Sequence, residues 1–216
     1  MPKCYMCDNE SISVEHTPPR GFFPVGMRTN LITVPSCQTH NEDTSNDDEY
    51  VRNILTTSIE NNQTSINHFF NKSLKSFQRN PVLAANVRNS LKDVSFYKLN
   101  AKSYSIDRSR FDRIIRKIAY ALFYSEYCFT WERLLAVTTN QLRMADMTND
   151  HLGDLFDTLT EGLDMLILKG ENPLVFKYAF IESGPGRFDK ALFMLFYEGF
   201  PFWIIPDSTS NHCDLD

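Results

Sequence analysis

The chain has 216 residues, enough for one sizeable hydrophobic core or for a small module joined to a second domain. Its 22 basic and 27 acidic side chains give a formal net charge of −5, which argues against a protein that coats nucleic acid through bulk charge. Hydrophobic residues make up 42%, and no stretch approaches the roughly 18 consecutive apolar residues of a membrane span, so we expect no membrane contact. The first residues, MPKCYMCDNE, lack the pattern of a secretory signal, which favours a cytoplasmic location.

Two β-prone runs and a helix follow one another at the start of the chain. Residues 11–15 alternate in polarity until two prolines interrupt them, and residues 31–34 form a second run closed by a proline. An acidic segment then leads into helically spaced apolar residues, with Ser45 and Asp48 placed as a capping box. These apolar residues are Val51, Ile54, Leu55 and Ile59. The order predicts strand, loop, strand, a short turn with metal-ligand spacing, and helix.

The rest of the chain changes in texture. A polar, Asn-rich stretch covers residues 61–100, and aromatic and aliphatic residues are more frequent after it. A long amphipathic helix is predicted from near Ser109 and a second one over residues 151–168. VFKYAFIES and KALFMLFYEGFPFWIIP flank a GPG turn and predict antiparallel strands with aromatic side chains in the core. These aromatic residues are Phe196, Tyr197, Phe200, Phe202 and Trp203. The whole pattern predicts an α+β fold.

Three of the five cysteines lie within the first 37 residues, which in a reducing compartment favours metal ligation over disulfides. Cys4-x-x-Cys7 and Cys37-x-x-His40 offer four donors in two short turns, the set that a tetrahedral structural zinc prefers. The alternative is that the cysteines are small buried residues and His40 a surface histidine. A closed four-ligand zinc leaves no open position for chemistry, so catalysis would need other residues.

The sequence Glu15-His16-Thr17-Pro18-Pro19 lies between the two turns, and Asn41 follows the second. The succession C-x-x-C, E-H-x-P-P, N-L-I-T-V-P and C-x-x-H-N over about residues 4–55 resembles the HNH, or ββα-metal, nucleases that carry a structural zinc. The resemblance implies a ββα-metal module over residues 1–60, followed by a domain of helices and antiparallel strands over residues 61–216 that binds substrate or a partner.

In that family the acidic residue before the histidine and the asparagine after the last zinc ligand hold one catalytic divalent cation. The resemblance therefore implies that Glu15 and Asn41 bind Mg²⁺ or Mn²⁺ and that His16 is the general base. A neutral imidazole with a pKa near 6.5 can accept a proton from water at neutral pH, and oxygen ligands suit a hard cation.

Each of these residues also has a plainer interpretation. His16 could be a turn histidine before the prolines. Asn30 could orient the His16 loop through its amide, or simply occupy a turn. Asp48 could lie near the catalytic cation, or interact with the helix dipole as other acidic residues do at a helix start.

Two groups of basic residues are candidates for binding phosphate. Lys3, Arg20 and Arg28 flank the predicted site. The second group lies on the predicted long helix, where positions 110, 113 and 117 share one face. It consists of Arg108, Arg110, Arg113, Arg116 and Lys117. The alternative is the solvated face of an amphipathic helix.

Three functions follow from these motifs. The first is a metal-dependent HNH endonuclease that cuts DNA. The second is an RNase or tRNA nuclease with the same site, and the third is a non-catalytic zinc module that binds nucleic acid or a protein. The resemblance to stand-alone HNH proteins also implies an effector of anti-phage defence with a partner protein of that system. Elsewhere in the chain, His68, His151 and His212 lack partners at ligand spacing.

Overall fold

The computed structural model describes residues 2–96, 99–143, 157–161 and 163–207. It combines helices with antiparallel strands, which confirms the predicted α+β class. Only part of the helix predicted over residues 151–168 is described. Residues 157–160 are helical and Leu163–Met165 forms a 3-10 turn, but residues 166–168 are not helical, so the continuous helix predicted to residue 168 is wrong at that end. The remainder of that prediction, His151 and His212 lie outside the described residues. No helix in the described part of the chain is long and apolar enough to cross a membrane.

A two-stranded antiparallel ribbon opens the fold. Strand β1 (Ser13–Thr17) pairs with strand β2 (Ile32–Ser36), with His16 opposite Thr33. Both strands lie one or two residues later than predicted, and β2 continues through its proline. A ribbon of two strands tolerates a proline because each strand has only one neighbour to pair with. The segment between them makes two 3-10 turns, at Arg20–Phe22 and Val25–Met27.

The helix after the ribbon begins and ends differently from the prediction. Helix α1 covers Ser45–Leu55, so Ile59 lies outside it and is exposed. The Thr57 hydroxyl donates a hydrogen bond to the carbonyl of Ile54 (2.7 Å), which is the kind of local bond that competes with a further helical turn. The predicted capping box is wrong, because Ser45 is the first helical residue and the Asp48 carboxylate accepts hydrogen bonds from Lys117.

The remaining elements follow in chain order. Short helices and a hairpin precede the long helix, and a four-stranded antiparallel sheet follows it. The helices are α2 (Gln63–His68), α3 (Leu74–Arg79), α4 (Pro81–Ser90), α5 (Arg108–Tyr127) and α6 (Asn140–Arg143), with a π-helical turn at Phe69–Ser73. The strands are β3 (Lys92–Phe96), β4 (Leu99–Ser103), β5 (Leu135–Thr138), β6 (Phe176–Glu182), β7 (Lys190–Phe196) and β8 (Phe200–Pro206). The last four strands lie in the sheet in the order β5-β8-β7-β6.

Helix α5 and the final sheet confirm the sequence patterns. The helix starts one residue before the predicted position, where the Asp107 carboxylate accepts a hydrogen bond from the backbone N–H of Arg110 (3.2 Å). The predicted aromatic residues of the last strands are all buried. One hydrophobic cluster contains residues from the N-terminal segment, such as Tyr5 and Phe22, together with residues of α5 and of the sheet. This shared core holds the ribbon and α1 against α5.

Candidate metal centre and catalytic cavity

The four predicted zinc ligands meet at one end of the ribbon. Two precede β1 and two follow β2, and antiparallel pairing of Ser13 with Ser36 brings these ends together. The backbone N–H of Tyr5 donates to the carbonyl of Pro35 (2.9 Å), which ties the first turn to the second strand. The ligand atoms of Cys4, Cys7, Cys37 and His40 all lie within 4.8 Å of one another, close enough to hold a metal ion.

The distances within this cluster fit zinc. His40 Nδ1 lies 3.3 to 3.5 Å from the three sulfur atoms, and the Sγ atoms of Cys7 and Cys37 are 3.8 Å apart. A tetrahedral zinc with Zn–S of about 2.3 Å and Zn–N of about 2.0 Å places its ligand atoms roughly 3.5 to 3.8 Å apart. The donor set, three thiols and one imidazole, is also one that structural zinc commonly uses.

The surrounding backbone affects the two cysteines of the first turn differently. Burial alone would raise the pKa of the Cys4 thiol, but hydrogen bonds from the backbone of Met6 and Cys37 outweigh it and lower that pKa. Burial raises the pKa of Cys7 to about 11. A bound cation favours both thiolates, because metal ligation requires deprotonated sulfur.

Glu15 points into the protein and belongs to a buried charged network. Strand alternation turns Glu15 inward and His16 towards the surface. Lys117 of α5 approaches Glu15 Oε1 at 2.6 Å and Asp48 Oδ1 at 2.9 Å, and it donates to the Thr44 hydroxyl at 2.8 Å. Tyr5 donates its hydroxyl to Glu15 Oε2 (3.2 Å). Both oxygens of Glu15 therefore already have partners within the protein.

A cavity of about 340 Å³ opens beside this network. Its walls include four of the residues that the sequence singled out, namely Glu15, His16, Asn41 and Asp48. Asn41 donates its amide N–H to the Ser13 hydroxyl (2.8 Å), and the oxygen of the same amide group is an acceptor. The ribbon and the start of α1 thus bring an imidazole, an amide and two carboxylates to one concave surface.

The electrostatics of the cavity follow from burial. Burial raises the pKa of Glu15, although Lys117 partly opposes this, and the same two causes act on Asp48. Burial and the nearby Arg20 lower the pKa of His16 below its ordinary value. His16 is therefore neutral at pH 7, which is the form that can accept a proton.

The basic face predicted for α5 is wrong at Lys117, which is 3% exposed and is held by Glu15 and Asp48. A buried ammonium with two carboxylate partners cannot also contact a phosphate on the surface. The arginines of α5 remain partly exposed, but each one already binds an acceptor within the protein. Arg110 and Arg113 pair with Asp47, whereas Arg108 and Arg116 lie near Asp112.

Of the other predicted residues, Arg20 lines the cavity, whereas Lys3 and Arg28 do not. Arg28 is half-buried and donates to the carbonyl of Phe23 (3.0 Å), and Lys3 is exposed and pairs with Asp8 (2.7 Å). Asn30 is exposed, has a φ of 51° and is not among the residues that line the cavity. This backbone conformation suits a turn asparagine.

Sequence reasoning missed two cations on the cavity wall, Arg52 and Lys72. Arg52 is 4% exposed although it follows the apolar Val51 on α1, and Lys72 comes from the π-helical turn. A buried arginine is unusual, and the signal available in the sequence is its position next to Val51 and three residues before Leu55, on the apolar side of the helix.

The chain matches no family model, no curated protein and no solved structure.

Proposed function

We propose that this chain is a metal-dependent HNH nuclease of the ββα-metal type that hydrolyses phosphodiester bonds, with DNA as the preferred substrate. One observation carries the proposal. His16, Asn41, Glu15 and Asp48 line one cavity. The four candidate zinc ligands cluster at the end of the ribbon that carries Glu15 and His16. The ribbon followed by helix α1 has the strand, strand, helix order of that module.

Zinc would have a structural role here. Its four protein ligands fill a tetrahedron, so no position is left for water or substrate. The ligands come from both ends of the ribbon, and the ion would hold these ends together beside the start of α1.

His16 is the proposed general base. Its imidazole is neutral at pH 7, because burial and Arg20 lower its pKa, and it lines the open cavity. It accepts a proton from the water molecule that attacks phosphorus, and the departing oxygen leaves on the opposite side. Positioned general bases contribute about 10²–10⁴-fold to a rate.

A hard divalent cation fits the oxygen donors of the cavity. Glu15 and Asn41 would hold it, and the Asp48 carboxylate lies on the same wall. When bound, Mg²⁺ or Mn²⁺ would neutralise charge on the departing oxygen and orient the phosphate. Burial raises the pKa of both carboxyl groups, and a nearby cation stabilises their ionised forms.

The contacts of Glu15 support a second candidate function, a non-catalytic zinc module that binds nucleic acid or protein. Lys117 already pairs with both Glu15 and Asp48, and a lysine in this place can supply part of the positive charge that a metal ion would bring. In this second function Glu15 would stabilise the fold only. The nuclease proposal requires Glu15 to bind a divalent cation while its contact with Lys117 is kept or exchanged.

The experiment compares plasmid DNA with total RNA as substrate for zinc-loaded protein and Mg²⁺ or Mn²⁺. The proposal predicts divalent-dependent cleavage of the plasmid. Cleavage of RNA alone would replace DNA by RNA as the substrate. If neither substrate is cut with either ion, the nuclease proposal is wrong and the non-catalytic function remains. The net charge of −5 favours delivery of substrate by a partner, such as a protein of a defence system, so the assay is repeated at low salt, where weak binding is strengthened.

A further inference from the structure

The wall of the cavity next to His16 carries a group of positive charges that nothing in the proposed chemistry uses. Arg52 and Lys72 line this wall, and their charged ends converge over Gly21. A Cβ atom built on Gly21 would lie 3.5 Å from Lys72 Nζ and 3.9 Å from Arg52 Nη1. A Cβ atom at position 21 would thus be in ordinary van der Waals contact with both cationic groups, which places them side by side over Gly21.

Arg52 is only partly satisfied by the protein. Its Nη2 atom donates to Asn53 Oδ1 (2.8 Å) and lies 3.6 Å from Glu49 Oε1. Its Nε atom is buried and has no hydrogen-bond partner among the described residues. A buried guanidinium with an unused donor is costly unless an acceptor reaches it.

Positive charge exceeds negative charge around Lys72. Its Nζ donates one long hydrogen bond to the carbonyl of Gly21 (3.3 Å). The charged groups that face it are Arg52 and Glu49 of α1, Arg20 of the first 3-10 turn and Arg28 of the loop before β2. Three of these four groups are cationic, so a single carboxylate opposes three cations besides Lys72.

We propose that Arg52 and Lys72, with Arg20 beside them, form a binding site for a phosphate group of a nucleic-acid strand next to the phosphodiester bond whose hydrolysis His16 assists as general base. A guanidinium with a free N–H and a lysine ammonium are the usual partners of phosphate oxygens. The cavity of about 340 Å³ has room for the anion, and His16 lines the same cavity as Arg52 and Lys72. This inference rests on the proposed nuclease function, because it names the part of that substrate that the site holds.

The ionisation of Lys72 supports this assignment. Burial, together with Arg52 and Arg28, lowers its pKa to about 8. His68, on the preceding helix, stays neutral because burial and these same cations lower its pKa to about 4. An anion that binds here stabilises the charged form of Lys72. Binding should therefore weaken as the pH rises above about 8 and the free ammonium loses its proton.

The test measures binding without cleavage. Zinc-loaded protein without added Mg²⁺ is titrated into fluorescent single-stranded DNA with a 5′-phosphate, with a 3′-phosphate or with neither, and inorganic phosphate is the competitor. Lys72→Gln should bind about tenfold more weakly, the loss expected for one charge-assisted hydrogen bond, and should lower the salt dependence by about one phosphate contact. Lys75→Gln removes an exposed lysine one turn further on and should bind as wild type does.

Two further variants separate the phosphate site from catalysis and from folding. Lys72→Arg keeps its charge above pH 8, so it should bind without the loss that wild type shows between pH 7 and pH 9. His16→Ala should bind as tightly as wild type, even though the nuclease proposal makes it inactive. Thermal melting of each variant establishes that it is folded.

Some results would overturn the phosphate site. One is a Lys72→Gln variant that loses no more affinity than Lys75→Gln. Another is the absence of binding to all three strands, which would show that these cations do not hold a phosphate of a nucleic-acid strand. A preference for one end-phosphorylated strand assigns the site to a terminal phosphate, and equal binding of all three assigns it to the backbone; both support it. These outcomes do not depend on cleavage, so failure of the nuclease proposal is recognised separately.

Discussion

Replacing Lys117 by Met should strongly destabilise the protein, because it leaves the buried Glu15 and the partly buried Asp48 without their cation. Lys117 Nζ lies 2.6 Å from Glu15 and 2.9 Å from Asp48, and the exposed fractions of the Lys117 and Glu15 side chains are 4% and 5%. Removing one partner of such a buried ion pair costs roughly 3–5 kcal/mol. Domains of this kind are stable by about 5–15 kcal/mol in total, so a large share of the unfolding free energy should disappear.

The assay is urea unfolding followed by tryptophan fluorescence, since Trp131 and Trp203 are both buried in the native state. The matched control is Lys102→Met, which removes an exposed lysine paired with exposed Asp93 and should change stability by less than about 1 kcal/mol. The double variant Lys117→Met with Glu15→Gln removes one unpaired charge together with the lysine. It should lose less stability than the sum of the two single variants. A Lys117→Met variant within about 1 kcal/mol of wild type would refute the reasoning.

Two other predictions concern the metal cluster and the pH dependence of stability. Cys4→Ser should lose stoichiometric zinc, measured by elemental analysis, and should melt at a lower temperature than wild type. Cys128→Ser changes an exposed cysteine outside the cluster and should keep the zinc content and melting temperature of wild type. Stoichiometric zinc in Cys4→Ser would contradict the structural-zinc assignment. His68 has a pKa of about 4 in the folded protein and about 6.5 in the unfolded chain, so the unfolded chain binds a proton more readily at this residue. The contribution of His68 to the unfolding free energy should therefore fall by about 3 kcal/mol as the pH drops from 7 to 4. His68→Gln should show a correspondingly shallower decline in urea titrations at each pH, and equal slopes for the two proteins would show that His68 does not titrate as described.

Local patterns predicted most of the secondary structure. The ribbon and the start of α5 were found within one or two residues, because alternation and helical spacing report which face each side chain presents. The candidate zinc ligands could also be predicted from the sequence, because each pair lies on one short turn. The end of α1 was missed at Ile59, where a side-chain bond from Thr57 to the backbone competes with the apolar spacing.

Properties that depend on distant parts of the chain could not be predicted from local spacing. Positions 110, 113 and 117 do share a helical face, but that face meets Glu15 of the ribbon and Asp48 of α1, so Lys117 is buried. Arg52, Lys72 and Gly21 belong to three separate segments of the chain, and the two cationic groups meet over Gly21. Such arrangements combine residues far apart in sequence, and only the packed chain brings them together.

The role of His16 as general base is tested by the rate of plasmid cleavage by His16→Ala beside wild type, with Mg²⁺ and stoichiometric zinc in both proteins. Thr33→Ala, which changes the exposed cross-strand partner of His16, is the matched control. We expect wild type and Thr33→Ala to cleave at similar rates and His16→Ala to be slower by about 10²–10⁴-fold. Cleavage by His16→Ala at the wild-type rate would contradict the role of His16 as general base.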